Sequence, residues 1–100
     1  MKRSDRTSFE LTEHAKNRLK ESVIDEKEIE EILNNPVMTY LDILTGYTVC
    51  IGPRTKPGHW LIIIYEKHNQ LKKVISVLDT SNIERMIRSR EERGRWLRVR

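Results

Sequence analysis

Trp60-Leu61-Ile62-Ile63-Ile64-Tyr65-Glu66 is apolar at every position but the last, with no polar residue at the alternate positions. A strand that faces water on one side alternates between apolar and polar residues, so an unbroken run of β-branched and aromatic residues predicts a central strand covered on both faces. The stretches on either side support this. From Val37 onward the apolar residues repeat every second position: Val37 to Leu44 and Tyr47 to Ile51 flank Thr45-Gly46, which reads as a two-residue hairpin turn. Gly52-Pro53-Arg54-Thr55-Lys56-Pro57-Gly58 is a loop by composition. His68-Asn69-Gln70 is a turn, and Lys72 to Leu78 alternates again.

Before Val37 the period is close to four. Leu11, Ala15, Leu19 and Val23 form one stripe, and Thr12 stands where its hydroxyl can cap a first helix, predicted from about Glu13 to Glu21. Asp25 with Glu28 three residues later has capping-box spacing and opens a second helix, which buries Ile29, Ile32 and Leu33 and stops at Asn34-Asn35-Pro36. Ser81-Asn82-Ile83-Glu84 reads as another capping box, opening a third helix that ends near Gly94.

The expected fold is therefore α+β: two N-terminal helices, an antiparallel four-stranded meander and a basic C-terminal helix, with Ser8 to Leu11 left open as a fifth short strand. One hundred residues suffice for one core, so residues 1–100 are read as a single domain with flexible ends at 1–7 and 97–100.

No apolar run approaches the ~20 residues of a membrane-spanning helix, and no secretory leader is expected from the polar start Met1-Lys2-Arg3-Ser4-Asp5-Arg6. Cys50 is the single cysteine, which fits a reducing, cytoplasmic setting and offers no thiolate metal site. His14, His59 and His68 do not have the spacing of a metal site on one element, and no metal or cofactor is expected.

Charge separates along the chain. Residues 9–35 hold eight acidic groups against four basic ones, whereas residues 80–100 hold seven Arg against three Glu. An excess of Arg suits a polyanion, because the guanidinium fork binds phosphate oxygens and stacks on bases. Arg85, Arg88, Arg95 and Arg98, with Trp96 as a stacking face, are therefore candidate RNA contacts, together with Lys56 from the Gly- and Pro-rich loop. The alternative is a solvated helix face whose Arg residues pair with Glu84, Glu91 and Glu92. His14 and Arg18 share a helix face at i and i+4, and the Gly- and Pro-rich loop bears Arg54 and His59; these four are the candidate catalytic residues.

The runs His14-Ala15-Lys16-Asn17-Arg18-Leu19, Val23-Ile24-Asp25-Glu26-Lys27-Glu28-Ile29 and Ile32-Leu33-Asn34-Asn35-Pro36 resemble a family of small bacterial and archaeal proteins of unassigned function. Its pattern is His-Ala-x-x-Arg, an Arg-Gly-Ile-like turn and a second helix closed by Asn-Pro. This sequence has Ser22-Val23-Ile24 at the turn. The element order is similar to that of BrnT and RelE/ParE toxins. The resemblance implies a RelE-like fold and a metal-independent endoribonuclease that cuts messenger RNA, on or off the ribosome, and is silenced by an antitoxin protein. Of the motif, only His14 and Arg18 map onto this chain. A non-enzymatic module that binds nucleic acid or protein, or a ParE-like gyrase inhibitor, are the alternatives. A homodimer is left open, and no membrane partner is expected.

Overall fold

The computed structural model describes residues 8–100. The expected flexibility of residues 1–7 lies outside the described residues. The chain runs β1 (Ser8–Leu11), α1 (Glu13–Glu21), α2 (Glu26–Asn34), β2 (Met38–Asp42), β3 (Thr48–Pro53), β4 (Trp60–His68), β5 (Leu71–Thr80), α3 (Ile83–Glu92) and β6 (Trp96–Arg98). It is an α+β protein with three helices and one six-stranded mixed sheet in the order β1-β5-β4-β3-β2-β6.

The sheet corrects the expected four-stranded meander at both edges. Ser8 to Leu11 does form a strand, but it lies parallel to β5, with Leu11 opposite Val74. The sixth strand comes from the tail, where a flexible end was expected. Tyr40 stands opposite Arg98 and Asp42 opposite Trp96, and Val99 N–H and Arg100 N–H both donate to Thr39 O. A strand needs only a few residues in phase with a neighbour, and Trp96-Leu97-Arg98-Val99 alternates well enough to provide them.

The β2–β3 connection also differs. A tight turn at Thr45-Gly46 gives way to a loop over residues 43–47, because the buried Asp42 gathers it: its carboxylate accepts from Leu44 N–H and Thr45 N–H at 3.0 and 3.3 Å and from Arg95 Nε at 3.0 Å. Gly46 supplies the left-handed residue, at φ +79°.

β4 is central and covered on both faces. On one face Leu61, Ile63 and Tyr65 pack beneath Ala15 and Leu19 of α1 and Ile29 and Ile32 of α2. On the other, Ile62 packs with Tyr40, Trp96 and Ile83 of α3. A β-bulge between Ile64 and Tyr65 leaves Ile75 without an opposite partner, so Val74 and Val77, three apart, both join the core under α1.

The helix starts follow their caps. Thr12 Oγ1 accepts from Ala15 N–H at 3.1 Å, and Asp25 and Glu28 complete a capping box. Asn82, not Ser81, caps α3, accepting from Arg85 N–H at 3.3 Å.

α1 ends in a Schellman motif: Ile24 N–H donates to Leu19 O at 2.8 Å and Val23 N–H to Lys20 O at 3.4 Å. The motif needs a left-handed residue, and Val23 occupies that position at φ 52°. It is 83% exposed, so no packing offsets the crowding of its branched Cβ against the backbone. Val23→Gly is expected to stabilise the fold by about 1 kcal/mol, raising the melting temperature by about 4–8 °C in calorimetry.

Candidate functional site

The end of the sheet where β3 and β5 finish and β4 begins brings together Arg54, Glu28, Asp79 and His59. Gly52 makes this possible. A Cβ there would stand 2.8 Å from Ile32 Cγ1, so only glycine lets α2 lie so close on β3. That close approach brings Glu28, in the first turn of α2, within reach of Arg54, two residues beyond Gly52 and in phase with it.

Arg54 is fully engaged. Nε and Nη2 donate to the two oxygens of Glu28, each at 3.1 Å; Nη2 also donates to Val23 O at 3.1 Å, and Nη1 bonds Asp79 Oδ2. Asp79 turns its other oxygen to His59 Nδ1 at 2.7 Å. The side chains are mostly out of water: Arg54 is 7% exposed, Glu28 11%, Asp79 17% and His59 26%. The loop is tied at its base by Arg54 N–H to His59 O and His59 N–H to Lys56 O, at 2.9 and 3.1 Å.

The hydrogen bond from Arg54 holds the Glu28 carboxyl below the usual carboxylate range against the opposing effect of burial. Burial pushes Asp79 up, but the bonds from His59 and Arg54 outweigh it and its carboxyl also lies low. Asp42 follows the same balance, with burial outweighed by Arg95 and two backbone N–H groups. Bonds to Glu28 raise Arg54 above its ordinary value.

A carboxyl depressed in the fold stabilises it fully above the unfolded value, near 4, and ceases to do so as pH falls through the folded value. Thermal unfolding across a pH series is therefore expected to show stability level from about pH 7 to 5 and falling below about pH 4. The fall should be shallower in Arg54→Met, which removes the main cause of the Glu28 shift and part of the cause of the Asp79 shift.

A second, smaller group lies along β5. Thr12 anchors the start of α1 there, its N–H on Val74 O and its hydroxyl on Ile75 O, at 3.1 and 3.2 Å. Two residues on, His14 Nε2 lies 3.3 Å from Ser76 Oγ. The far end of the α1 segment is held at Val23 O by Arg54, which also holds Asp79. α1 thus runs beside β5 from Ser76 toward Asp79, with Arg18 a turn beyond His14. Arg18 Nε is buried and makes no hydrogen bond among the described residues.

The remaining sequence candidates separate. Lys56 is exposed on the loop. Arg85 and Arg88 are exposed on α3, on the other face of the sheet from α1 and α2. Arg85 nonetheless lies near this end of the sheet, because α3 starts three residues after Thr80, and it lines a hollow of about 310 Å³ with Thr80, Asn82 and Arg90. Arg95 pairs with Asp42 at the opposite end of the sheet. Trp96 was read as a stacking face for a base, but it is a core residue: its ring sits 5.5 Å from Tyr40 with Arg90 over it at 5.7 Å. Arg98 lies 5.8 Å from the Tyr40 ring. Burial leaves Cys50 with a raised thiol pKa, as expected of a core cysteine.

Glu28 and Asp79 were not among the sequence candidates. Glu28 already had a role as the third residue of a capping box, which it keeps, donating nothing and accepting Asp25 N–H at 3.2 Å. Asp79 carried one usable signal, an acid two residues after Val77 and thus in phase with the core.

These features define an α+β protein with a mixed six-stranded sheet and an Arg–carboxylate–His cluster at one end of it. The chain belongs to the family described as Domain of unknown function (DUF4258), which matches residues 11–99. No curated protein and no solved structure is similar enough to count as a match.

Proposed function

We propose that the chain is an endoribonuclease that cuts RNA without a metal, with His59 and His14 exchanging protons and Arg18 steadying the phosphate. The observation that carries this reading is the 2.7 Å contact between His59 Nδ1 and an Asp79 carboxylate whose other oxygen is held by Arg54. A carboxylate on one ring nitrogen fixes the tautomer and orientation of the other, which is how a histidine is prepared for proton transfer. Arg54, with its donors committed to Glu28, Asp79 and Val23 O, is in this reading a positioning residue, in place of the catalytic part expected from sequence.

The reaction needs one base and one acid. The base takes the 2′-hydroxyl proton, the 2′-oxygen attacks phosphorus, and the acid protonates the departing 5′-oxygen, leaving a 2′,3′-cyclic phosphate and a 5′-hydroxyl end. Lys56 beside the loop and Arg85 at the start of α3 flank the same end of the sheet and would hold the RNA backbone. As for the toxins the sequence resembles, messenger RNA is the substrate and an antitoxin protein the inhibitor.

The test is incubation of the purified chain with RNA in excess EDTA, followed by mapping of the ends. Cyclic phosphate and 5′-hydroxyl termini are expected. Salt-sensitive binding with intact RNA would instead identify a binding module, and intact RNA with stalled supercoiling a gyrase inhibitor.

A further inference from the structure

β6 is the last strand of the sheet, and its outer edge is open among the described residues. Arg95 O accepts from Ile43 N–H, and Val99 N–H donates to Thr39 O, both at 2.9 Å. In an antiparallel pair alternate residues bond inward, so the backbone groups of Trp96 and Arg98 point outward. The two faces of this edge differ. On the α3 face, the guanidinium groups of Arg90 and Arg98 lie over the rings of Trp96 and Tyr40. On the other face neither α1 nor α2 reaches it, since they pack on β5 and β3. There Leu97 stands opposite Leu41, and Leu97 and Val99 are 57% and 60% exposed, continued by Val37 and Ile43.

An edge guarded only against aggregation would be polar on both faces. This one is apolar on one face, and on the other the guanidinium groups of Arg90 and Arg98 outnumber the one carboxylate, Glu91, that meets Tyr40 there, which is the complement of a particular strand. We propose that β6 docks an extended protein segment in which apolar and acidic residues alternate, taken up as a seventh strand. Its apolar residues would cover Leu97 and Val99 while its carboxylates meet Arg98 and Arg90. A second copy of this chain does not fit, because a two-fold edge pairing would bring Arg98 toward its own copy without an intervening acid. The inference stands apart from the ribonuclease reading, whose residues lie on α1 and around β3, β4 and β5.

The full chain can be titrated with short fluorescent peptides of alternating Val and Glu, alternating Val and Lys, and Val and Glu in two blocks. Only the alternating acidic peptide is expected to bind, slowing hydrogen exchange at the Trp96 and Arg98 amides. Arg98→Glu should weaken it by about tenfold or more with an unchanged melting temperature, and Val99→Lys should do likewise. Equal binding of the basic or block peptide overturns the proposal. So does protection of those amides by a ribo-oligonucleotide alone, or self-association of the chain through this edge in sedimentation.

Discussion

Arg54→Met is expected to cost about 3 kcal/mol, lowering the melting temperature by about 10–20 °C in calorimetry or thermal circular dichroism. The size follows from what is left behind. Methionine fills much of the same volume, but Glu28 and Asp79 then face each other's side of the cluster as buried carboxylates without their cation. Removing one partner of a buried ionic group costs more than the group contributes when intact, because the survivors keep their desolvation penalty. Val23 O loses its donor as well, so the strained turn after α1 is released at the same time. Arg54→Lys separates charge from shape: it restores a cation but not the paired donors that meet both oxygens of Glu28, and an intermediate stability is expected. An Arg54→Met protein as stable as the parent would mean that the cluster is solvated enough to be dispensable.

His59→Ala is expected to slow RNA cleavage by about 100-fold or more while leaving the melting temperature within a few degrees. His59 is at the exposed end of the cluster, and Asp79 keeps Arg54 when the ring is gone. The loss should fall on kcat, with RNA affinity unchanged, since a proton-transfer group acts in the transition state. Lys56→Ala should do the reverse, weakening binding and flattening its salt dependence while the cutting of bound RNA persists. If His59→Ala cuts RNA as fast as the parent, the His59–Asp79 contact is structural and the assignment of chemistry to this end of the sheet fails.

The parts of the fold that are written locally were legible in the sequence. Thr12, Asp25 and the Asn82 region announce helix starts because a cap is made by neighbours three residues apart. The Trp60 run announces a central strand because both faces must be apolar. What was not legible depends on partners far along the chain. β1 is four residues long, and its parallel place against β5 is fixed by pairing with residues more than sixty positions later. In the tail, the Arg content drew the reading toward a polyanion surface and hid the alternation that makes β6. The site was half legible for the same reason. His59 and Arg54 stood out beside a loop, but the groups that define their chemistry, Glu28 and Asp79, look ordinary until the sheet register and the close seat of α2 bring them in.

The parallel pairing of β1 with β5 also orders the chain's history. As it is synthesised, Leu11 has no strand to join until Val74 and its neighbours have left the ribosome, so the first strand to be made is among the last to be placed. Until then β5's eventual neighbour is a loose end that any exposed strand can capture, and the acid-rich helices between them have to form on their own caps.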